Sequence, residues 1–169
     1  MKRTLRAAIP AAVVLIGMAA GGCAALANTA TSAANPPRTA HGRFVGYKWL
    51  LTSITSHGKQ TPITSADRFN NQVYVLFTPN GQFGANDPIN FHQATYSLVG
   101  DGFTTSNVAV TAVSYTGDNQ VIILAMDAIS AFGDRVHATA TVTGNRLAIS
   151  VDGFLLECQR DGGSGSSVY

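Results

Sequence analysis

The sequence predicts a strand-rich α+β fold: an antiparallel cracked β-barrel or strongly curved sheet of about 7–8 strands with one packed helix. Three observations predict it. From Phe44 onward, apolar and polar residues alternate in short runs, as they do in strands with one buried face. Turn sequences containing Gly, Asn or Asp separate these runs. Only residues 119–132 have the apolar spacing of an amphipathic helix.

The first half of the domain contains four predicted strands. Tyr47–Ile54 places Trp49 in the core, and Pro79-Asn80-Gly81 ends the second strand with a tight hairpin turn, because Asn-Gly tolerates positive φ angles. Gly100-Asp101-Gly102 ends the third strand. Val73, Val75 and Phe77 are expected to share one face of the second strand, and in the third strand Ala94, Tyr96 and Leu98 alternate with polar residues. A fourth strand fits 108–113.

The second half begins with the helix. Asp118 or Asn119 is expected to cap it and Gly133 to end it, with a buried face formed by Val121, Ile122, Ala125, Ile129 and Phe132. Val121-Ile-Ile-Leu is β-branched enough to leave a strand open as the alternative. The last third alternates most clearly, and short turns at 143–145 and 152–153 join three strands into a meander.

The chain opens with a leader that predicts export. Lys2, Arg3 and Arg6 precede an uncharged run, residues 7–22, which is shorter than the roughly 20 apolar residues needed to cross a bilayer. A basic start followed by a short apolar run is typical of a secretory signal peptide. We therefore interpret 1–22 as a signal peptide, in preference to a transmembrane anchor.

Two cleavage sites fit the leader. Ala19-Ala20-Gly21-Gly22-Cys23 resembles a bacterial lipobox, after which Cys23 carries a lipid anchor at the cell membrane. Ala25-Leu26-Ala27 is an ordinary A-x-A site, which would release a soluble secreted protein. The lipobox is the favoured interpretation. Residues 23–43 then form a lipid-anchored flexible tether, 44–160 the β domain, and 161–169 a flexible tail.

Charge composition excludes several functional classes. Only 12% of the residues are charged, against about 25% in typical soluble domains, and three of the 11 basic residues belong to the leader. The rest of the chain has 8 basic and 9 acidic residues, without a basic stripe interleaved with aromatics. A nucleic-acid-binding surface is therefore not expected.

Catalytic and metal-binding patterns are not found, so we predict that the protein is not an enzyme and has no cofactor. The sequence contains no Gly-x-Ser-x-Gly, His-Glu-x-x-His or P-loop pattern. We interpret His57, His92 and His137 as scattered surface histidines rather than metal ligands, because no pair has ligand spacing. The acids sit mainly in turns, where Asp caps its own backbone, and Asp127 is expected on the solvent side of the helix. Cys158 is expected in the core.

The order of short motifs resembles the META domain, the HslJ-like family of bacterial envelope proteins, over about Gly46 to Arg160. The motifs are Trp49-Leu50-Leu51, Phe77-Thr-Pro-Asn80-Gly81, Gly84-Ala85-Asn86 and Gly144-Asn145-Arg146-Leu147. The resemblance implies a small cracked barrel with one helix, often lipid-anchored or secreted, without an established enzymatic activity. The family's cysteines are replaced here, at Ala85 and around Ser114-Tyr115, so its disulfide is not expected.

Two hypotheses of function follow. The first is a binding or accessory module that holds a hydrophobic ligand or an envelope protein. Its pocket, or equally its core, would contain Tyr47, Trp49, Phe77, Phe83 and Tyr96. The second is an inhibitor or stress-protective protein that acts on an extracellular enzyme through an exposed loop. The loop residues expected to contact a partner are Asp87, Phe91, Asp101 and Phe103. A hydrolase with an unrecognised carboxylate pair is a third, weaker alternative.

Overall fold

A computed structural model describes residues 43–67 and 72–162, all within one compact unit of the chain. The described part contains nine strands, one α-helix and a single 3-10 turn at Ser65–Asp67. The strands are β1 (Tyr47–Ser56), β2 (Lys59–Pro62), β3 (Tyr74–Phe77), β4 (Gln82–Asn86), β5 (Phe91–Val99), β6 (Gly102–Val110), β7 (His137–Thr143), β8 (Arg146–Val151) and β9 (Phe154–Arg160). The helix α1 spans Gln120–Ser130.

The strands form a closed antiparallel barrel, which confirms the predicted fold class. From β3 to β9 each strand pairs with the next, and β1 pairs with both β3 and β9, so eight strands close the ring. The ninth, β2, pairs only with the second half of β1 and leaves its other edge outside the barrel. Closure removes the free edges that an open sheet of this size would expose.

Helix α1 confirms the predicted capping and buried face. The side chain of Asn119 accepts hydrogen bonds from the backbone N–H groups of Val121 and Ile122, which have no partner within the helix. Ile122, Ala125 and Ile129 are buried and Asp127 is exposed, as expected, whereas Val121 is only partly buried. The helix is two residues shorter at its C-terminal end than predicted and stops before Ala131.

The closing meander also agrees with the prediction. The turns before β8 and before β9 are tight, and Gly144, Asp152 and Gly153 adopt the positive φ angles that such turns require. Ala138, Ala140, Leu147, Ile149, Val151, Leu156 and Cys158 are all buried on the inner face.

Three strands differ from the prediction: two were not predicted, and one has shifted boundaries. β2 and β4 were not predicted, because Lys59–Pro62 is polar and Gln82–Asn86 contains glycine at its centre. The fourth predicted strand, 108–113, begins earlier and ends earlier, as β6. A bulge explains the shift, since Asn107 has a φ of 57° and the β5–β6 register slips between Gln93 and Thr95. The bulge breaks the alternation from which the sequence predicts strands.

Gly102 is where β6 and β7 approach most closely. A Cβ atom at this position would overlap the carbonyl oxygen of Ala138 and crowd the Cα atom of Thr139. The β6–β7 pairing covers only three residue pairs, of which Gly102 and Thr139 form one. A glycine is therefore required here for the barrel to close between these two strands.

We expect Gly102→Ala to lower the free energy of unfolding by about 1–3 kcal/mol, because the new methyl group overpacks the strand pair. Gly84→Ala is the matched control: its Cβ would meet the Phe91 ring at 3.7 Å, an ordinary contact. Equilibrium urea unfolding measures both variants. Equal stability of the two variants would contradict the required close approach.

Candidate functional site

Aromatic side chains fill the interior of the barrel. The ring centroid of Phe77 lies 4.6 Å from that of Phe44, 4.8 Å from Phe103, 5.3 Å from Phe83 and 5.4 Å from Tyr96. These distances are those of packed aromatic pairs. Phe132, just after α1, extends the same cluster, with its ring 5.0 Å from that of Phe83. The rings therefore occupy the space that a ligand inside the barrel would need.

The five aromatic residues expected in a pocket or in the core occupy two environments. Trp49, Phe77 and Phe83 are buried in the core, and the Trp49 indole donates a hydrogen bond to the carbonyl oxygen of Phe44 over 2.8 Å. Tyr96 packs against this core, and its hydroxyl donates to the carbonyl oxygen of Thr78. Tyr47 lies at the end of the barrel with 40% of its surface exposed.

The four residues expected to contact a partner through loops are split in the same way. Phe103 is fully buried in the core and Asp87 is buried in a polar cluster, so neither is available to a partner, contrary to the prediction. The alternation of β6, which begins at Gly102, points Phe103 inward. Phe91 has 41% of its surface exposed and Asp101 lies in an exposed turn.

Asp87 and His92 form a buried polar pair at the connection between β4 and β5. The Oδ2 atom of Asp87 lies 2.8 Å from Nε2 of His92. Its Oδ1 atom accepts hydrogen bonds from the backbone N–H groups of Ile89 and Asn90, as predicted for an Asp that caps its own turn. Burial alone raises the pKa of Asp87, but the hydrogen bonds from His92, Asn90 and Ile89 outweigh burial and lower it.

The interpretation of His92 as a surface histidine is therefore wrong. The sequence did contain a signal of its burial, because His92 alternates in phase with Ala94 and Tyr96, which face the core. A lone histidine at the start of a strand is ambiguous from sequence. The partner that makes its burial tolerable, Asp87, becomes apparent only from the geometry of the turn.

Asn90 extends the polar cluster to the segment that follows β6. Its side-chain oxygen accepts from the Val113 N–H, and its side-chain nitrogen donates to the Val113 carbonyl. Thr111 and Phe91 add two more hydrogen bonds between the same two segments. The amide of Asn90 thus takes the place of a backbone hydrogen-bonded pair beyond the end of β6. The cluster fixes the β4–β5 connection, residues 87–90, which we call the Phe91 loop because the exposed Phe91 follows it at the start of β5.

We expect Asp87→Asn to lower the free energy of unfolding at neutral pH by about 2–3 kcal/mol, because an amide satisfies the buried donors less well. The lowered pKa of Asp87 means that its contribution is present above the unfolded-state pKa and is lost as pH falls through the lower folded-state value. Acid should therefore destabilise the wild type more than the variant. Asp101→Asn, in an exposed turn, is the control.

Chemical denaturation across a series of pH values measures both effects. Equal acid sensitivity of the wild type and Asp87→Asn would contradict the assignment of a stabilising carboxylate to Asp87.

The residues weighed as metal ligands or as a nucleophile do not form a metal-binding cluster in the described part of the chain. Within 43–67 and 72–162, no cluster of three or more His, Cys, Asp or Glu side chains could hold a metal ion. His57, in the β1–β2 turn, and His137, at the start of β7, are exposed and line one depression together with Asp152. Cys158 is buried, as predicted, and burial raises the pKa of its thiol well above the usual value. A protonated, buried thiol is a poor nucleophile.

A groove lies on the outside of the barrel, between helix α1 and the β1–β2 hairpin. Its volume is about 590 Å³. Val121, Ile123 and Leu124 supply its apolar wall. The hairpin and the helix add polar groups at its edges, namely Ser56, His57, Lys59, Thr61, Gln120 and Asp127. This groove presents an apolar surface beside a cation, which suits an amphiphilic ligand or an apolar segment of a partner.

A second depression, of about 480 Å³, lies on the outer face of β8 and β9 and is more polar. Thr52, Arg146 and Glu157 are among its lining residues. The Oε2 atom of Glu157 accepts hydrogen bonds from Ser53 and from Gln60, each over 2.6 Å. The carboxylate is thus used to join β9 to β1 and β2.

A basic rim lies at one end of the barrel. Consecutive antiparallel strands run in opposite directions, so the start of β1, the β5–β6 turn, the β7–β8 turn and the end of β9 share one end. We use the name basic rim for the four cations placed there: Arg43, Lys48, Arg146 and Arg160. Helix α1 lines its groove together with the β1–β2 turn, at the opposite end.

Aromatic rings hold two cations of the basic rim in place. The guanidinium carbon of Arg160 lies 3.8 Å from the ring centroid of Tyr47 and 5.1 Å from that of Trp49. Its Nε atom is buried and has no hydrogen-bond partner within the described residues. The ammonium of Lys48 lies 4.5 Å from the Tyr74 ring and donates to the side chain of Gln72.

Several expectations fall outside the described residues. They include the signal peptide at 1–22, Cys23 and its lipid anchor, the tether up to residue 42, and the tail from residue 163. In the part of the chain that the structure covers, no helix is both long enough and apolar enough to span a membrane.

Comparison with known proteins identifies the fold alone. An NMR structure of a protein from Burkholderia xenovorans is similar, with a TM-score of 0.56 and 14% identity over 73% of this chain and 87% of that chain. A second NMR structure has a TM-score of 0.52 and 20% identity, covering 68% of this chain and 88% of that one. A crystal structure of a DUF4847 family protein from Bacteroides vulgatus, at 12% identity and a TM-score of 0.46, covers 69% and 93% respectively.

No family model and no curated protein sequence matches the chain. The resemblance to the META domain accordingly stays a prediction from the order of its motifs, and the solved structures support the barrel architecture and no activity.

Proposed function

We propose that the protein is an exported cell-envelope lipoprotein whose barrel is a non-catalytic, META-like binding or accessory module. The observation that carries this proposal is the leader: a basic start, a short apolar run and the small residues before Cys23. Lipidation of Cys23 would place the module at the outer face of the cell membrane.

The packing of the barrel favours a binding surface on its outside. The aromatic cluster around Phe77 occupies the interior, so a hydrophobic ligand has no room between the rings. The groove beside helix α1 supplies the alternative, because Val121, Ile123 and Leu124 offer apolar surface next to the ammonium of Lys59. A hydrophobic ligand, or an apolar segment of an envelope protein, matches this lining, in which Asp127 balances the charge of Lys59.

A second candidate function is inhibition of an extracellular enzyme through the Phe91 loop. Asp87, His92 and Asn90 hold this loop through buried hydrogen bonds, and Phe91 is exposed beside it. A loop fixed before binding loses little conformational entropy when it docks, which favours inhibitors. Inhibition assays with lysozymes and proteases distinguish this function, since only the inhibitor hypothesis requires Phe91→Ser to abolish an effect.

Metabolic labelling with a fatty-acid analogue tests the anchor. We expect the wild type to be labelled and Cys23→Ala to lose all label, because the acyl groups are attached at this cysteine. The only other cysteine supplies the control: Cys158→Ala should retain full labelling, since Cys158 is buried in the core.

Persistence of label in Cys23→Ala would exclude Cys23 as the anchor. An unlabelled wild type would overturn the lipoprotein assignment and favour cleavage after Ala27.

A further inference from the structure

The two ends of the barrel carry opposite charge. At the basic rim, the four cations face two acids, Asp101 in the β5–β6 turn and Asp161 after β9. The opposite end reverses the balance, with Lys59 and Arg135 as cations. Its exposed acids in the described part of the chain are Asp118, Asp127, Asp134 and Asp152, and Asp87 is buried there. The domain is therefore an electrostatic dipole with its positive end at the rim.

The cations of the rim are largely free of acidic partners. Lys48 lies 3.7 Å from Asp161, but the ion pairs of the described residues do not include Arg43, Arg146 or Arg160. The guanidinium of Arg160 lies over the Tyr47 ring and its Nε atom is buried, so its terminal NH2 groups are the donors left to bind an oxyanion. Guanidinium NH2 groups match phosphate oxygens.

The basic rim also exposes apolar side chains. Tyr47, Leu98 and Val99 are 40%, 42% and 48% exposed. Leu98 and Val99 lie at the end of β5, beside the turn that carries Asp101. Apolar side chains next to Lys and Arg, with a tyrosine among them, are typical of surfaces that bind at the boundary between lipid headgroups and acyl chains.

The chain enters the barrel at the same end. Arg43 is twenty residues from Cys23 and begins the described part of the domain. Even when fully extended, twenty residues span at most about 70 Å. A chain anchored at Cys23 would therefore enter the domain at the rim, within about 70 Å of the membrane, and not at the acidic end.

We propose that the basic rim docks on an anionic phospholipid surface, with the arginines on lipid phosphates and Leu98 and Val99 in the headgroup region. The step from the anchor to the rim's orientation rests on the proposed lipoprotein function, whereas the charge and the exposed residues do not. Docking turns the groove beside α1 and the Phe91 loop away from the membrane.

Vesicle co-sedimentation of the exported chain, residues 23–169 with Cys23→Ala, tests this proposal without any acyl group. We expect binding to vesicles of phosphatidylcholine and phosphatidylglycerol, but not to phosphatidylcholine alone, at about 0.15 M salt. Arg43→Gln with Arg146→Gln should weaken binding roughly 30-fold, at about 1 kcal/mol per cation. Both residues are exposed, so the variant should fold, which circular dichroism verifies.

Arg135→Gln is the matched control for Arg146→Gln alone, because each removes one charge from an exposed arginine, at the acidic end and at the rim respectively. Arg135→Gln should bind as the wild type does, whereas Arg146→Gln should weaken binding about 5-fold, at about 1 kcal/mol per cation. Equal weakening by the two single variants, or equal binding to neutral vesicles, would overturn the proposal. So would binding of dextran sulfate through the rim without vesicle binding, which would indicate a soluble polyanion as partner. None of these outcomes affects fatty-acid labelling at Cys23, which tests the anchor separately.

Discussion

The pairing of β1 with β9 is the interaction on which the rest of the structure depends. It joins the first and last strands of the domain through seven residue pairs, from Trp49 opposite Arg160 to Ser56 opposite Phe154. Without it the sheet would be open and the aromatic rings would face solvent on one side. With it, Trp49 is held between β3 and β9, and its indole ties the segment containing Phe44 to the barrel.

Closure of the barrel around packed aromatic rings limits where the proposed binding surfaces can lie. Small barrels either fill their interior with side chains or keep a cavity for a ligand, and this barrel fills it with phenylalanine. The proposed binding surfaces therefore all lie on the outside: the groove beside α1, the Phe91 loop and the basic rim. Each of these surfaces is positioned by the barrel without being part of its core. A lipid anchor at Cys23 and a docked rim would together orient the first two surfaces away from the membrane.

Local patterns were predictable from sequence, whereas long-range contacts were not. The helix and the last three strands follow from apolar periodicity, and Asn119 and the glycine turns from local hydrogen bonding and φ angles. β4 depends on its two neighbours for pairing, so its weak composition hid it. The burial of Phe103 and His92 depends on the register of β6 and on Asp87. The charge difference between the two ends of the barrel could be recognised only from the strand topology, because the charged residues are dispersed along the chain.

Amide hydrogen exchange along β1 and β9, measured by NMR, tests the closure of the barrel most directly. A closed barrel predicts that the amides of β1 and β9 that donate across the β1–β9 pairing exchange only by global unfolding, as slowly as those between β8 and β9. Amides of β2 at its free edge should exchange much faster. Fast exchange at the seam, at the rate found for the free edge of β2, would contradict a closed barrel and reopen its interior to a ligand.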